Sequence, residues 1–186
     1  MHGFNQLLSV AAVDGAALTN STTETSLLPA PAKIALLKNF FDRVGKRLIL
    51  RAAGRISTVV TSPGTLTLRA KFGSIVVFNG GAINLNVTAQ TNASWELAIE
   101  MLVRALGDGT NANLLGIGRW SSRAIVGGPA AASGGVESIV LPDTAPVVGS
   151  GFDSTAEQVM DLTAQWSVAS TSNIIQLHQY SLETFD

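Results

Sequence analysis

From residue 47 to the C-terminus apolar and polar residues alternate, and Gly, Pro, Asn or Asp breaks the alternation at short intervals. A chain patterned this way puts one face of each strand into a core and the other outward, which points to a β-sandwich. The pattern predicts strands over 47–52, 55–61, 65–72, 74–78, 82–88, 113–126, 136–141, 158–168 and 174–182. Ser62-Pro63-Gly64 reads as a turn, and Asn79-Gly80-Gly81 as a hairpin-type turn. Residues 127–135 read as a Gly-rich loop.

Two segments are ambiguous. Residues 95–106 have the Glu and Leu content of a helix. Yet Trp95, Leu97, Ile99, Met101 and Val103 share one face of a strand, with Glu96, Glu100 and Arg104 on the other, and strand is the reading adopted. Residues 33–44 fit a helix or a strand running into a turn at Asn39-Phe40-Phe41; the second is favoured. The expected fold is all-β, a sandwich or jelly roll. No repeat is visible, which excludes solenoids and propellers.

Residues 1–32 differ from the rest. Phe4, Leu7, Leu8 and Val10 open the chain, a hydroxyl-rich stretch follows over 19–26, and Pro29 and Pro31 resist helix. This segment reads as an extended N-terminal arm pairing at a sheet edge, with the sandwich domain over 33–186. Phe4, Leu7, Leu8 and Val10 are its expected apolar anchors.

Composition narrows function. Charged residues make up 13% of the 186, about half the usual share. With 46% hydrophobic residues, this suits a subunit that buries surface against neighbours. The absence of cysteine removes disulfides, thiolate nucleophiles and cysteine–zinc sites. Only His2 and His178 are present, too few for a multi-histidine metal centre. A net charge of −1 gives no electrostatic basis for binding nucleic acid. Mean hydropathy is +0.32, but the apolar runs fall far short of the about 20 residues of a spanning helix. The N-terminus lacks the basic and apolar regions of a secretion signal, so synthesis in the cytoplasm is expected.

No pattern carries catalytic chemistry. His178 lies mid-strand without a nucleophile nearby in sequence, and reads as a polar strand residue. Glu96 and Glu100 on one strand face stand about 13 Å apart, too far for a glycosidase pair, and read as surface charges paired with Arg104. Asp108-Gly109-Thr110-Asn111 resembles half a calcium loop without its closing carboxylate, and reads as a hairpin turn. Gly116-Ile117-Gly118 and the Gly-rich loops lack the context of phosphate-binding motifs. The chain is read as non-enzymatic, with no cofactor.

Several stretches together resemble small tailed-phage virion proteins with a jelly-roll fold of the tumour-necrosis-factor type. They are DGAAL at 14–18, SLLPA at 26–30, NFF at 39–41, VGKRLILRAAGRISTV at 44–59, TSPGTL at 61–66, VVFNGG at 76–81, GFDST at 151–155 and LHQYSL at 177–182. The resemblance covers most of the chain from about residue 10. It implies a homotrimeric jelly roll on the virion surface: a capsid decoration protein whose partners are itself and the major capsid protein or another virion protein. The alternative it leaves is a receptor- or glycan-binding head-fibre or tail-fibre module, with Trp120 or Tyr180 stacking on a sugar. The plain reading of Trp95, Trp120 and Trp166 is core packing.

Overall fold

The computed structural model describes residues 5–127 and 137–185. The strands, in chain order, begin with β1 (Asn5–Val10), β2 (Leu18–Thr19), β3 (Thr25–Ser26) and, after a 3-10 turn over Ala30–Ala32, β4 (Ala35–Leu36). The long strands β5 (Arg47–Thr58), β6 (Thr65–Phe72), β7 (Ile75–Leu85), β8 (Gln90–Ala105) and β9 (Asn113–Ser121) follow. β10 (Ile125–Gly127), β11 (Ser138–Leu141), β12 (Gln158–Trp166) and β13 (Ile174–Phe185) complete the fold. There is no α-helix among the described residues.

Two antiparallel sheets pack face to face as a jelly-roll β-sandwich. Sheet I runs β1-β13-β5-β8-β9-β11, with β2 also on β13; sheet II runs β10-β7-β6-β12-β3, with β4 also on β12. The chain changes sheet at many of its connections, among them β5 to β6, β7 to β8 and β12 to β13, so these sequence neighbours lie in opposite sheets. Trp95, Leu97, Ile99, Met101 and Val103 of β8 all point inward and are buried. That resolves residues 95–106 as strand: a helix would spread these side chains around its circumference. Phe41, Phe72 and Phe152 form one cluster with ring centroids 5.0–5.4 Å apart. The indole N–H of Trp95 donates to the Arg55 carbonyl at 3.1 Å, and that of Trp166 to the Leu18 carbonyl at 3.4 Å.

Several expectations are corrected. Asn79-Gly80-Gly81 does not turn the chain; it lies inside β7. The register against β6 slips there, from Thr67↔Ala82 to Arg69↔Asn79. Gly81 takes φ +79 and donates its N–H to Asn79 Oδ1 at 3.1 Å, so the glycine makes a bulge that bends one strand. The separate strands expected at 47–52 and 55–61 are one strand, β5, ending at Thr58. It passes through Gly54, where a Cβ would lie 2.0 Å from the Gln176 carbonyl oxygen. The strand expected at 82–88 stops at Leu85, leaving Val87 exposed beyond it. Over 113–126 the chain leaves sheet I after Ser121 and rejoins sheet II at Ile125. Residues 33–44 take the strand-then-turn form: β4, then a turn in which Phe40 N–H donates to the Leu37 carbonyl and Asn39 has φ 59. The Gly-rich loop lies, from residue 128, outside the described residues.

Residues 5–32 lie along the sandwich. β1 pairs with β13 at the edge of sheet I. Beyond it Leu18, Leu27, Leu28 and Ala32 are buried in the same core as the strands after residue 33. The stretch from 18 to 33 is therefore a strap closing one side of the sandwich, anchored by these buried residues, whereas β1 before it is mostly exposed.

Candidate interaction surface

Because side chains alternate, the residues between the core positions of sheet I form its outer face. β5, β8 and β9 set these in rows: Arg47, Leu102 and Leu115; Ile49, Glu100 and Ile117; Arg51, Ala98 and Arg119. β11 adds Val140 beside Arg119, and Val148 bridges to Leu115. Ile117, Val140 and Val148 are 47–50% exposed; Ile49, Leu102 and Leu115 are half-buried. A band of large apolar side chains thus crosses three strands in contact with water.

Two arginines of this band are paired with carboxylates within the chain, and Arg119 donates to the Ser138 hydroxyl at 3.1 Å. Arg47 pairs with Glu100 at 3.1 Å and Arg51 with Glu183 at 2.9 Å. Arg55 donates to Gln176 and to Asn92. Glu100 therefore reaches diagonally across to Arg47 on β5, not along β8 to Arg104, because diagonal neighbours on adjacent strands are closer than residues four apart on one strand. Between Ala53, Ala98 and Ser181 the face sinks into a shallow depression of about 640 Å³, walled by Val10, Arg51, Glu96 and Gln179.

Of the expected anchors, Phe4 lies outside the described residues. Leu7 and Val10 sit opposite Glu183 and Ser181, on the outer-face side of β1, 58% and 48% exposed. Leu8 falls at a bulge between them and packs partly on the core. His178 is the extra residue of a bulge in β13, and its Nδ1 lies 2.9 Å from Asp14 Oδ1. It is a polar partner for the chain entering from β1. Trp120 is fully buried and Tyr180 nearly so, so neither presents a ring to a sugar, which corrects the stacking roles considered for them. The open groove bordered by Asn92, Glu96, Ser122, Arg123 and Glu137 is polar.

Among the described residues no three His, Asp or Glu side chains are grouped as metal ligands. Asn111 Nδ2 donates to Asp108 Oδ1 at 3.2 Å, as in a closed hairpin turn.

No protein-family model matches this chain, and no curated protein matches it. What the surface does is therefore argued from its own residues.

A second charged group holds the strap against sheet II. Glu24 lies 3.5 Å from Arg69 and 3.4 Å from Lys71, and accepts a hydrogen bond from Thr163. Asp161 takes Lys33 at 2.9 Å and the Ser26 hydroxyl at 2.6 Å. Burial pushes the Glu24 carboxyl up, but the Thr163 hydroxyl and the two cations outweigh it and hold the group below its usual range. A carboxylate whose acidity is raised by folding stabilises the fold above its unfolded pKa, and that contribution disappears as pH falls through the folded value. Glu24→Gln is expected to lower stability at pH 7 by about 1–3 kcal/mol. The difference from wild type should begin to shrink in urea titrations as pH falls below the unfolded glutamate value of about 4.3, and vanish only at lower pH, once the folded Glu24 carboxyl is itself protonated.

The contiguity of the outer face is what sequence reading missed. Its signal was present in β9, where Leu115 and Ile117 put apolar residues on the face opposite Leu114 and Trp120. Nothing local indicated that they would lie beside Leu102 and Val140.

Proposed function

We propose that this chain is a non-enzymatic structural protein of a phage virion, a trimeric capsid decoration protein bound to the outside of the head. The observation that carries the reading is the outer face of sheet I: large apolar side chains exposed in a band, with Arg47 and Arg51 among them paired to carboxylates and Arg119 donating to the Ser138 hydroxyl. Such a face is suited to being covered by protein, because apolar area is removed from water and Arg47 and Arg51 would enter the contact with carboxylates already beside them. The low charge content acts in the same direction. The base of the trimer and the N-terminal arm, through Phe4, Leu7, Leu8 and Val10, are assigned to contacts with the capsid shell or with adjacent subunits. The location that follows is the virion surface.

Light scattering on a sizing column tests the assembly. The expected native mass is three times 19.3 kDa. Ile117→Lys, at an exposed position, should leave the fold intact and shift the mass to that of the single chain. A monomeric wild-type protein, or a trimer indifferent to Ile117→Lys, would remove this face from the proposal. Heads stripped of the protein should rebind the full chain; failure to rebind would sink the decoration role.

A further inference from the structure

β1 is the longest strand at a sheet edge among the described residues. It has six residues, against four in β11, three in β10 and two each in β2, β3 and β4. Exposed strand edges present a row of unpaired N–H and C=O groups, and proteins usually blunt them with charge, proline or extreme shortness. Asn5-Gln6-Leu7-Leu8-Ser9-Val10 contains no charged residue and no proline. Its bulge between Leu7 and Ser9 is the one protective device it carries. Its backbone ladder runs to β13 alone, on one side. On the other side the only described bond is from the Ser9 hydroxyl to the Ala32 carbonyl, at 2.8 Å. Beside that edge runs an open groove of about 450 Å³, bounded by Pro31, Lys33, Ile34 and Ala35, with the Lys33 ammonium paired to Asp161 at 2.9 Å. Among the described residues no strand pairs with this free edge, and there is room beside it.

We propose that a second copy of this chain pairs with this edge, β1 against β1, antiparallel about a two-fold axis. Only extended polypeptide offers donors and acceptors spaced to match a strand edge. A second β1 meets the side-chain requirement as well. With Leu7 opposite Val10 and Leu8 opposite Ser9, two Leu–Val pairs form on the outer-face side and the polar Ser9 meets the groove side. Neither strand carries a charge to repel the other, so the pairing brings no like charges face to face. The two sheets I then join into one, and the arm assigned above to contacts with the shell or adjacent subunits has an adjacent subunit as its partner. The pairing stands whether the base unit is one chain or a trimer.

The full-length protein tests this by sedimentation from micromolar to millimolar concentration. The mass of the base unit, whatever it is, should rise with concentration as units link two by two. Leu7→Lys combined with Val10→Lys should hold the mass at the base unit, with the near-ultraviolet signal of the three buried tryptophans unchanged. The chain has no cysteine of its own, so Leu7→Cys combined with Val10→Cys should give a two-chain species on oxidation. Within one strand these positions are about 10 Å apart, beyond the reach of a disulfide. A wild-type mass independent of concentration overturns the pairing, as does association undiminished in the double-lysine variant. Association without cross-linking overturns the stated register. Failure of the Ile117→Lys experiment alone would leave this result untouched, because it concerns a different surface.

Discussion

Deleting residues 1–32 is expected to cost the protein its fold, whereas deleting residues 1–10 leaves it folded. The two truncations separate what is arm from what is strap. Residues 5–10 bury little: Leu7 and Val10 are exposed and only Leu8 packs partly on the core. Their loss removes one edge ladder and uncovers one side of β13. The longer deletion also removes Leu18, Leu27, Leu28 and Ala32, all buried in the sandwich. Losing a buried leucine side chain costs about 2–5 kcal/mol, and three are lost together. It also takes away Glu24, leaving Arg69 and Lys71 on sheet II without the carboxylate that faces them. The sum reaches the whole stability of a typical domain, about 5–15 kcal/mol. Circular dichroism and urea titration of both truncations would check it. A cooperative unfolding transition in the chain lacking residues 1–32 would show that the strap is dispensable.

The second large effect is expected at Phe72. Its ring packs 5.0 Å from Phe152 and 5.4 Å from Phe41, with edge and tilted contacts, and Phe41 in turn meets Phe40 at 5.1 Å. These residues come from β6, from the turn after β4 and from the loop before β12. The cluster therefore ties one end of the sandwich together across segments distant in sequence. Phe72→Ala opens a cavity where three elements meet, and the rigid strands on either side limit collapse into it. The expected loss is about 3–5 kcal/mol. At roughly 2–4 °C per kcal/mol for a chain of this size, the melting temperature should fall by on the order of 10 °C. Leu37→Ala is the control. That side chain is 68% exposed near the same end, and its removal should cost less than about 0.5 kcal/mol. Equal effects from both would mean that the cluster is not a packed unit.

The strand content was legible because alternation is a local signal. β8 shows it most clearly: Trp95 to Val103 alternate, all five odd positions are buried, and helix-forming composition was overridden by the need of that face for a core. Local signals also misled. Asn79-Gly80-Gly81 has the composition of a hairpin turn, and the same freedom at Gly81 serves a bulge inside a continuous strand. Pairing decides between the two, since β6 lies alongside β7 on both sides of the bulge. The packing of residues 18–32 was hidden in the same way. Polar composition over 19–26 hides Leu27 and Leu28, whose burial depends on β12 lying beneath them.

For the interaction surface the division is sharper. The sequence alone determined which side chains of each strand share a face, because a period of two is set by the pleat of the backbone. It also determined that the chain carries few charges and no cysteine. Which strands became neighbours was decided only in the tertiary structure. Jelly-roll connections carry the chain across the core between partners, so β5 lies between β8 and β13 although long stretches of chain separate them. That arrangement set Ile49, Leu102, Ile117 and Val140 in one band, matched Arg47 with Glu100 and Arg51 with Glu183, and left β1 at the edge. Hydrogen-bonded pairing is non-local, and no window along the chain contains it.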